Sequence, residues 1–506
     1  MSDVWTGRWV AERLGARITT ESTAIPLALT DLVGLALRHN TRRVHLLVSA
    51  VLGKYVPADP ALVYGVGRLL GAVTVDRVTG RDTGIARAGA TLLRAALAGS
   101  SGSADALIQL CATHGEAHRV ARPDLASSTT VLGYAETATA LGHAVSDAWG
   151  ADYLHSTRRS PPAARRFAEF EEEHSHATRH LLLPDDEELL SRGGPLVLVD
   201  DELSTGQTVL NTVAALHRRT PRSRYVIATL VDLREPADRA RMASVARRMG
   251  VDLTVVALAR GRLRLPTDVL STGRRLVTDH EPSAAPTGAP AGGTPPRRLP
   301  LLGWHGAREG ARHGFDRHDR TALHTAAERV AAQLVARFTG DRVLVLGSEE
   351  LMYAPLLIAN QLRMLLAGVA VVRFLATARS PALAVDDPGY AIRSRITFPS
   401  HDDPADGPGL RYAYNLPPDP KPGHGFTDVL VVVDSVGDTP ALHAPGGLLD
   451  QLGGVCDQVH LLTLPSLPPA PETVSCPSVP PPVLFPPHRC AAPASARTTA
   501  ARSAGC

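Results

Sequence analysis

A stretch near the middle of the sequence combines acidic, hydroxyl and glycine residues in an order that suits a phosphorylated ligand. The apolar residues 196–199 are followed by two acids and then by small polar residues: Asp200, Asp201, Ser204, Thr205, Gly206, Gln207 and Thr208. The small residues lead into a helical pattern, and backbone N–H groups at a helix start bind anions such as phosphate. Gly206 permits a tight turn and the close approach of a ligand.

The two acids supply the other half of this chemistry. Carboxylates beside a phosphate cradle accept hydrogen bonds from hydroxyl groups, so the stretch predicts a site for a ribose that carries a 5′-phosphate. The alternative is a plain strand, turn and helix in which an aspartate only caps the helix.

The elements that carry this stretch alternate between two patterns. Short apolar runs predict strands at 44–48, 130–132, 152–154, 196–199, 225–230 and 253–258, and the segments between them predict helices such as 208–217 and 239–249. Continuous apolar strands that alternate with helices are typical of a parallel sheet covered on both faces. Ligands bind beyond the carboxyl ends of such strands, so the loops that follow the strands are the candidate site.

Composition excludes several other classes of protein. The chain has 506 residues, of which 44% are hydrophobic and 20% charged, as expected for a soluble globular protein of two or three domains. A net charge of +3 gives no reason to expect a nucleic-acid or membrane partner. No CxxC pair occurs among the five cysteines, which indicates neither a zinc site nor a disulfide framework. Without a signal peptide or a long apolar span, the protein is expected in the cytoplasm.

Two segments of biased composition divide the chain. Residues 281–299 are rich in Pro, Gly and Ala and predict a linker, and residues 466–506 are rich in Pro, Ala and Ser and predict a disordered tail. The remaining chain forms two predicted domains, 1–280 and 300–465.

The acidic stretch and four other segments carry a family resemblance. Four apolar residues followed by DDELSTGQT resemble the signature with which type I phosphoribosyltransferases bind phosphoribosyl pyrophosphate (PRPP). The further segments are SAVLGK at 49–54, GYAETATALG at 133–142, HSTRR at 155–159 and EEEHSHAT at 171–178. Together they resemble the orotate-phosphoribosyltransferase-like proteins fused to a C-terminal TRSP domain, which are associated with tellurium-resistance-type bacterial stress gene clusters. The resemblance implies an α/β fold: a type I phosphoribosyltransferase domain, with a parallel sheet and helices on both faces, followed by a TRSP-like α/β domain.

In the type I fold, the loop that corresponds to the start of residues 133–142 binds pyrophosphate through backbone amides. Here that loop comprises Gly133, Tyr134, Ala135, Glu136 and Thr137. An acid in an anion-binding loop should not touch pyrophosphate directly. Glu136 is therefore either a ligand of Mg²⁺ or its waters, an acceptor for the substrate, or simply an acid favoured at a helix start.

Four other N-terminal residues in the segments that carry this resemblance are candidates for the site. Arg158 and Arg159 would stabilise departing pyrophosphate from a mobile lid, or else belong to a solvated basic loop. Ser49 and Lys54 lie in a segment that follows a predicted strand. Lys54 is one of two lysines in a chain with 53 Lys and Arg residues, so a compact ammonium could be required there to reach the base-like substrate or a phosphate. An ordinary surface lysine is the alternative.

The C-terminal part repeats the order of these features. The runs VLVL at 343–346 and VLVVV at 429–433 lead to GSEELMYA and DSVGDT, and another run leads to ATARSP at 376–381. This order indicates a degenerate duplication of the same fold. Asp438 would repel a phosphate, so this copy is not expected to bind PRPP in the usual way. Its best candidates for a polar site are Glu349, Glu350, Tyr353 and Arg379; the alternative is a scaffold domain.

These observations lead to a functional hypothesis. We expect a PRPP-dependent phosphoribosyltransferase that joins ribose 5-phosphate to a base-like nitrogenous acceptor and releases pyrophosphate, with Mg²⁺ carried by PRPP and no organic cofactor. Type I folds often form dimers, so a homodimer remains open. The rival hypothesis is a non-catalytic PRPP or nucleotide sensor on the same fold. A PRPP-making kinase is a third, for which the sequence shows no ATP-binding feature.

Overall fold

Strands and helices alternate along the chain in the computed structural model, which describes residues 8–40, 43–161, 164–171, 179–281, 294–402, 409–416 and 425–466. The strands are β1 (Arg17–Glu21), β2 (Val33–Leu37), β3 (His45–Ser49), β4 (Thr130–Gly133), β5 (Asp152–His155), β6 (Ala168–Glu171), β7 (Arg179–Leu182), β8 (Leu196–Leu203), β9 (Arg224–Asp232), β10 (Asp252–Arg264), β11 (Arg297–Arg298), β12 (Arg342–Gly347), β13 (Val371–Ala376), β14 (Arg395–Pro399), β15 (Leu410–Tyr414), β16 (Asp428–Asp434) and β17 (Gln458–Leu464).

The helices are α1 (Arg8–Leu14), α2 (Leu29–Leu32), α3 (Pro60–Thr79), α4 (Ile85–Leu97), α5 (Ser103–Ala121), α6 (Pro123–Ser128), α7 (Thr139–Trp149), α8 (Glu188–Ser191), α9 (Gln207–Arg219), α10 (Pro236–Met249), α11 (Val269–His280), α12 (Arg317–Leu334), α13 (Tyr353–Leu365), α14 (Pro440–His443) and α15 (Leu448–Gly453). Within the described residues, none of these helices combines the length and the apolar character needed to cross a bilayer.

A mostly parallel sheet organises the N-terminal half. Its strand order is β1-β10-β9-β8-β4-β5, and every neighbouring pair is parallel except β1 with β10. Residues 196–199 of β8 and 225–232 of β9 are buried, as a sheet covered on both faces requires. This sheet confirms the predicted fold class and brings the ends of β4, β5 and β8 to one edge.

One predicted strand belongs elsewhere. β3 pairs antiparallel with β2 in a separate two-stranded sheet, so the prediction that 44–48 joins the parallel sheet was wrong. The physical reason is that a continuous apolar run indicates burial on both sides, which a hairpin packed against the core also provides. Arg38, after β2, and Arg43, before β3, border the cavity described below.

The C-terminal half repeats the core of this arrangement. Its sheet has the order β11-β17-β16-β12-β13, with all neighbours parallel. The order β9-β8-β4-β5 thus reappears as β17-β16-β12-β13, in the same order along the chain. Each half also inserts an antiparallel hairpin at the same point of the chain: β6–β7 precedes β8 in the first half, and β14–β15 precedes β16 in the second. The three strand–loop units occupy equivalent sheet positions, as the predicted duplication demands.

One hydrophobic cluster runs through both halves. It includes buried residues from Trp9 near the start of the described chain to Leu464 in the last strand. The division at 281–299 stays a prediction, since residues 282–293 of that linker lie outside the described residues. Residues 467–506 of the predicted tail also lie outside them, as do residues 172–178 of the family-like acidic segment.

Candidate functional site

A cavity of about 470 Å³ opens at the carboxyl ends of β8 and β4. The N-terminal half contributes Arg38, Arg43, Leu46, Leu47, Lys54, Tyr55, Tyr134, Ala135, Glu136, Thr137, Arg158, His180 and all residues from Asp200 to Val209. The C-terminal half contributes Arg379, Ser380, Pro381, Gly409, Leu410, Arg411 and Tyr412. The whole predicted phosphate stretch therefore lies on one wall of a cavity that both halves build.

The turn between β8 and α9 forms the predicted phosphate cradle. Gly206 has a φ of 78° and immediately precedes the first residue of α9, Gln207. The first N–H groups of an α-helix have no partner within the helix, so this start offers donors to an anion in the cavity. Thr205 adds a hydroxyl whose oxygen accepts from the Gln207 N–H at 3.3 Å. The Gln207 amide donates to Asn211 at 2.8 Å, which indicates a positioning role for that side chain.

The two acids precede this turn in the last part of β8. Asp200 and Asp201 are within β8, which continues to Leu203, and the Asp201 N–H donates to the Asp200 carboxylate at 3.0 Å. Burial raises the pKa of Asp201, and Glu202 adds to that effect, whereas Lys54 opposes it. Such carboxylates can accept hydrogen bonds from ligand hydroxyl groups or bind a cation.

The predicted pyrophosphate loop borders the same cavity as the two acids. Tyr134, Ala135, Glu136 and Thr137 line the cavity between β4 and α7, and the Ala135–Glu136 peptide bond is cis. The Ser156 hydroxyl accepts from the Ala135 N–H at 2.9 Å, which fixes the loop to the segment after β5. Gly133 ends β4 and does not border the cavity.

Two cationic side chains flank this loop. Lys54 donates from Nζ to the Thr137 hydroxyl. Burial disfavours its charge, but Tyr55, Glu136 and Asp201 raise the pKa of Lys54 above its usual value. Arg158, which is 6% exposed, also borders the cavity. Both side chains border the cavity; the contacts of Arg158 with pyrophosphate, and of Lys54 with the base-like substrate or a phosphate, stay predictions.

Glu136 is engaged by an arginine of the C-terminal half. Its Oε1 lies 2.6 Å from Nε of Arg379. The ion pair gives Glu136 a partner within the protein, and its role as a ligand of Mg²⁺ or of its waters stays a prediction. Among the residues that the structure describes, no cluster of three or more His, Cys, Asp or Glu side chains forms a metal site.

Arg159 does not point into the cavity, contrary to the sequence prediction. Its guanidinium binds Asp434 and also donates to Asp402 at 2.9 Å. Burial disfavours the charge, but these two acids raise the pKa of Arg159 above its usual value. The adjacent arginines in the sequence therefore diverge, Arg158 toward the cavity and Arg159 into the C-terminal half.

Four more candidates lie away from the cavity lining. Ser49 is buried and accepts from the Val51 N–H at 3.2 Å. Tyr353 donates to Asp147 at 2.6 Å in the core between the halves. Glu349 and Glu350 are 2% and 3% exposed; Glu349 pairs with Arg379 and Arg411 of its own half, and Glu350 accepts from the Thr157 hydroxyl of the other half. Their polar character reflects buried pairing, which the sequence cannot distinguish from ligand binding.

Several lining residues were missed by sequence reasoning. Arg38 and Arg43 come from the β2–β3 hairpin, and Arg43 pairs with Glu202 at 2.6 Å. Arg411 and Tyr412 come from β15, more than 200 residues after the phosphate cradle. The scarcity of lysine pointed to Lys54 as a candidate site residue. Arginines are so frequent in this chain that the presence of any one of them indicates nothing about the site.

Two family models match the sequence. Residues 32–262 match a phosphoribosyl transferase family, and residues 309–452 match the TRSP domain that stands C-terminal to it. Together they cover about three quarters of the chain. Comparison with curated proteins gives no match.

Solved structures with partial likeness are also phosphoribosyltransferases. An adenine phosphoribosyltransferase from Giardia lamblia in complex with 9-deazaadenine shares 18% identity over 31% of this chain and 80% of its own, with a TM-score of 0.22. The adenine enzyme from Rhodothermus marinus shares 20% over 30% and 78%, with a TM-score of 0.22. An orotate phosphoribosyltransferase from Aeropyrum pernix shares 21% over 31% and 72%, with a TM-score of 0.18. The family assignment follows from the two family models.

Proposed function

We propose that this chain, which belongs to the phosphoribosyltransferases that carry a C-terminal TRSP domain, transfers ribose 5-phosphate from PRPP to a base-like nitrogenous acceptor and releases pyrophosphate. One observation carries the proposal. The phosphate cradle at the start of α9, the paired acids Asp200 and Asp201, and the loop from Tyr134 to Thr137 all border the same cavity.

Each part of PRPP has a chemically suitable wall in this cavity. The 5′-phosphate would accept from the N–H and hydroxyl groups of the turn from Ser204 to Thr208. The ribose hydroxyls would donate to Asp200 and Asp201. The pyrophosphate would lie against the loop from Tyr134 to Thr137, where Lys54 and Arg158 supply positive charge.

This arrangement suits the electrostatics of the transfer. When the bond from the anomeric carbon to pyrophosphate breaks, positive charge develops on the ribose ring and negative charge on the departing oxygen. The two acids would stabilise the former and the cations the latter, and a ligand enclosed by the cavity would be shielded from competing water. Mg²⁺ would enter with PRPP, as part of the substrate, bound to its pyrophosphate oxygens.

The acceptor would meet the remaining wall. Leu46, Leu47 and Tyr55 offer apolar and aromatic surface there, and Tyr412 adds a second aromatic ring from the C-terminal half. Flat, partly apolar surface with polar groups at its edge suits a nitrogenous ring. We propose further that the reaction takes part in the synthesis of nucleotides or nucleoside-like metabolites in the cytoplasm. We also propose that it serves a bacterial stress response of the tellurium-resistance type.

An assay of pyrophosphate release tests the proposal. The wild-type protein, incubated with PRPP, Mg²⁺ and a panel of nitrogenous bases, should release pyrophosphate with at least one base, and Asp200→Asn/Asp201→Asn should lower the rate by at least about 100-fold. Asp252→Asn is the matched control, because this acid is half-exposed at the far end of β10 and pairs with Arg224. PRPP binding without pyrophosphate release from any base would favour the sensor instead.

A further inference from the structure

The two halves can be compared residue by residue through their strand registers. In the first sheet Gly133 of β4 pairs with Val199 of β8, and in the second Gly347 of β12 pairs with Val432 of β16. These pairs occupy equivalent positions, since β4 and β12 are each followed by an equivalent loop and helix. Counting forward from the two glycines aligns Glu136 with Glu350. Counting forward from β5 and β13 in the same way aligns Arg158 with Arg379.

Hydrogen bonds in the loops support this alignment. In the first half, the Ser156 hydroxyl accepts from the N–H of Ala135 at 2.9 Å. In the second half, the Thr377 hydroxyl accepts from the N–H of Glu349 at 3.0 Å. The aligned residues thus make the same contact in both halves, so the duplication extends to the loops that border the site.

The halves contact each other reciprocally through these aligned loops. Glu350 of the second half accepts from the Thr157 hydroxyl at 2.7 Å and from the Arg158 N–H at 2.6 Å in the first. In return, Arg379 of the second half lies 2.6 Å from Glu136 of the first. A contact in which equivalent elements exchange the same partners is the mark of a twofold interface. The chain therefore resembles a dimer made from one polypeptide.

The two sites of this internal dimer are not alike. The register aligns Asp434 of β16 with Asp201 of β8. In the first half Asp201 borders the open cavity, whereas in the second half Asp434 is 1% exposed and bound by Arg159. Asp402 holds the same arginine, at 2.9 Å. A side chain of the first half thus fills the position in the second half where a sugar would bind.

We propose that the C-terminal copy completes the single transferase site of the N-terminal half, to which it supplies Arg379 as a contact for the pyrophosphate leaving group. In the C-terminal copy itself, the equivalent site is closed by Arg159 of the N-terminal half. The inference rests on the proposed function. Arg379 borders the cavity beside the pyrophosphate loop and is held there by Glu136 and Glu349, with Nε 2.6 Å from an oxygen of each. Its guanidinium would add positive charge where negative charge develops on the leaving oxygen.

Steady-state pyrophosphate release by Arg379 variants of the full chain tests this inference. Arg379→Gln should lower kcat by about 100-fold, because one preorganised donor to the leaving group is lost. Arg379→Lys, which keeps the positive charge but not the planar fork, should recover part of that rate. Arg393→Gln is the control. This arginine belongs to the same half and pairs with the exposed Asp386, away from the cavity, so wild-type rates are expected.

The outcomes separate this inference from the proposed function. If the wild type turns over and Arg379→Gln keeps its kcat, the role of the C-terminal copy is wrong while the transferase proposal stands. If the wild type neither binds PRPP nor releases pyrophosphate, the proposed function itself fails. Circular dichroism of each variant identifies loss through unfolding, and a folded Arg379→Lys with no more activity than Arg379→Gln would also contradict a role for the charge.

Discussion

Gly206 forms the turn that leads into α9 and shapes the phosphate cradle. Its φ of 78° lies in the left-handed region, which costs other residues about 1–2 kcal/mol. We expect Gly206→Ala to shift the turn and weaken PRPP binding by about tenfold, equivalent to about 1.4 kcal/mol. Gly250→Ala is the control, because Gly250 also has a positive φ, 68°, but ends α10 with open space where its Cβ would lie.

Calorimetry and thermal unfolding together test this expectation. Both glycine variants should lose stability, Gly206→Ala the more because its Cβ would lie 2.4 Å from Cε of the buried Met242. Only Gly206→Ala should lose PRPP affinity. Equal PRPP affinity in the two variants would show that the turn at Gly206 does not form the phosphate contact.

At the same scale, the sequence predicted the site unevenly. The stretch from Asp200 to Thr208 was found because its chemistry is contiguous and its order is specific. Arg158 and Lys54 were found by resemblance. Arg411 and Tyr412 were not found, because a side chain that reaches a site through tertiary packing leaves no local pattern. Tyr353 was predicted as a site residue but lies in the core, where it donates to Asp147. In the sequence, a polar residue that is buried in the core cannot be distinguished from one that binds a ligand.

At the scale of elements, close packing of α3 against α7 supports the helix that follows the pyrophosphate loop. A Cβ on Gly71 of α3 would lie 2.6 Å from the Ala148 Cβ and 2.7 Å from the Val145 carbonyl oxygen of α7. Gly71→Ala should therefore destabilise the protein by about 1–3 kcal/mol, although alanine is the better helix former by about 1 kcal/mol.

Gly65→Ala in the same helix is the matched control for that change. Its Cβ would meet only side-chain atoms, Leu107 Cδ2 at 3.2 Å being the nearest, so its stability should stay near or above the wild type. The urea unfolding midpoint measures both effects. A Gly71→Ala variant as stable as Gly65→Ala would contradict the account of the packing.

Most elements were predictable from periodicity, and their pairing was less so. The strands predicted at 196–199, 225–230 and 343–346 lie within β8, β9 and β12, and the helix predicted at 239–249 lies within α10. The β2–β3 hairpin was not predicted, because apolar runs report burial and not the identity of the neighbouring strand. That hairpin carries Arg38 and Arg43 into the site, so an error of topology became an error about the site.

At the scale of the whole molecule, the repeat order in the sequence predicted the duplication but not how the copies meet. The contact between Glu136 and Arg379 joins residues more than 200 positions apart. Asp147 makes a further link, accepting from Tyr64 at 2.7 Å and from Tyr353 of the other half at 2.6 Å. Such links make the C-terminal copy part of the site's support and not a separate appendage.

The most direct measurement is a calorimetric titration of Mg²⁺·PRPP into the wild-type chain and into Asp200→Asn/Asp201→Asn. The wild type should bind one PRPP per chain, because Arg159 fills the second copy, and the double variant should show no measurable binding. Absence of binding by the wild type, or undiminished binding by the double variant, would contradict the assignment of the site. Two PRPP molecules per wild-type chain would contradict the closed second copy.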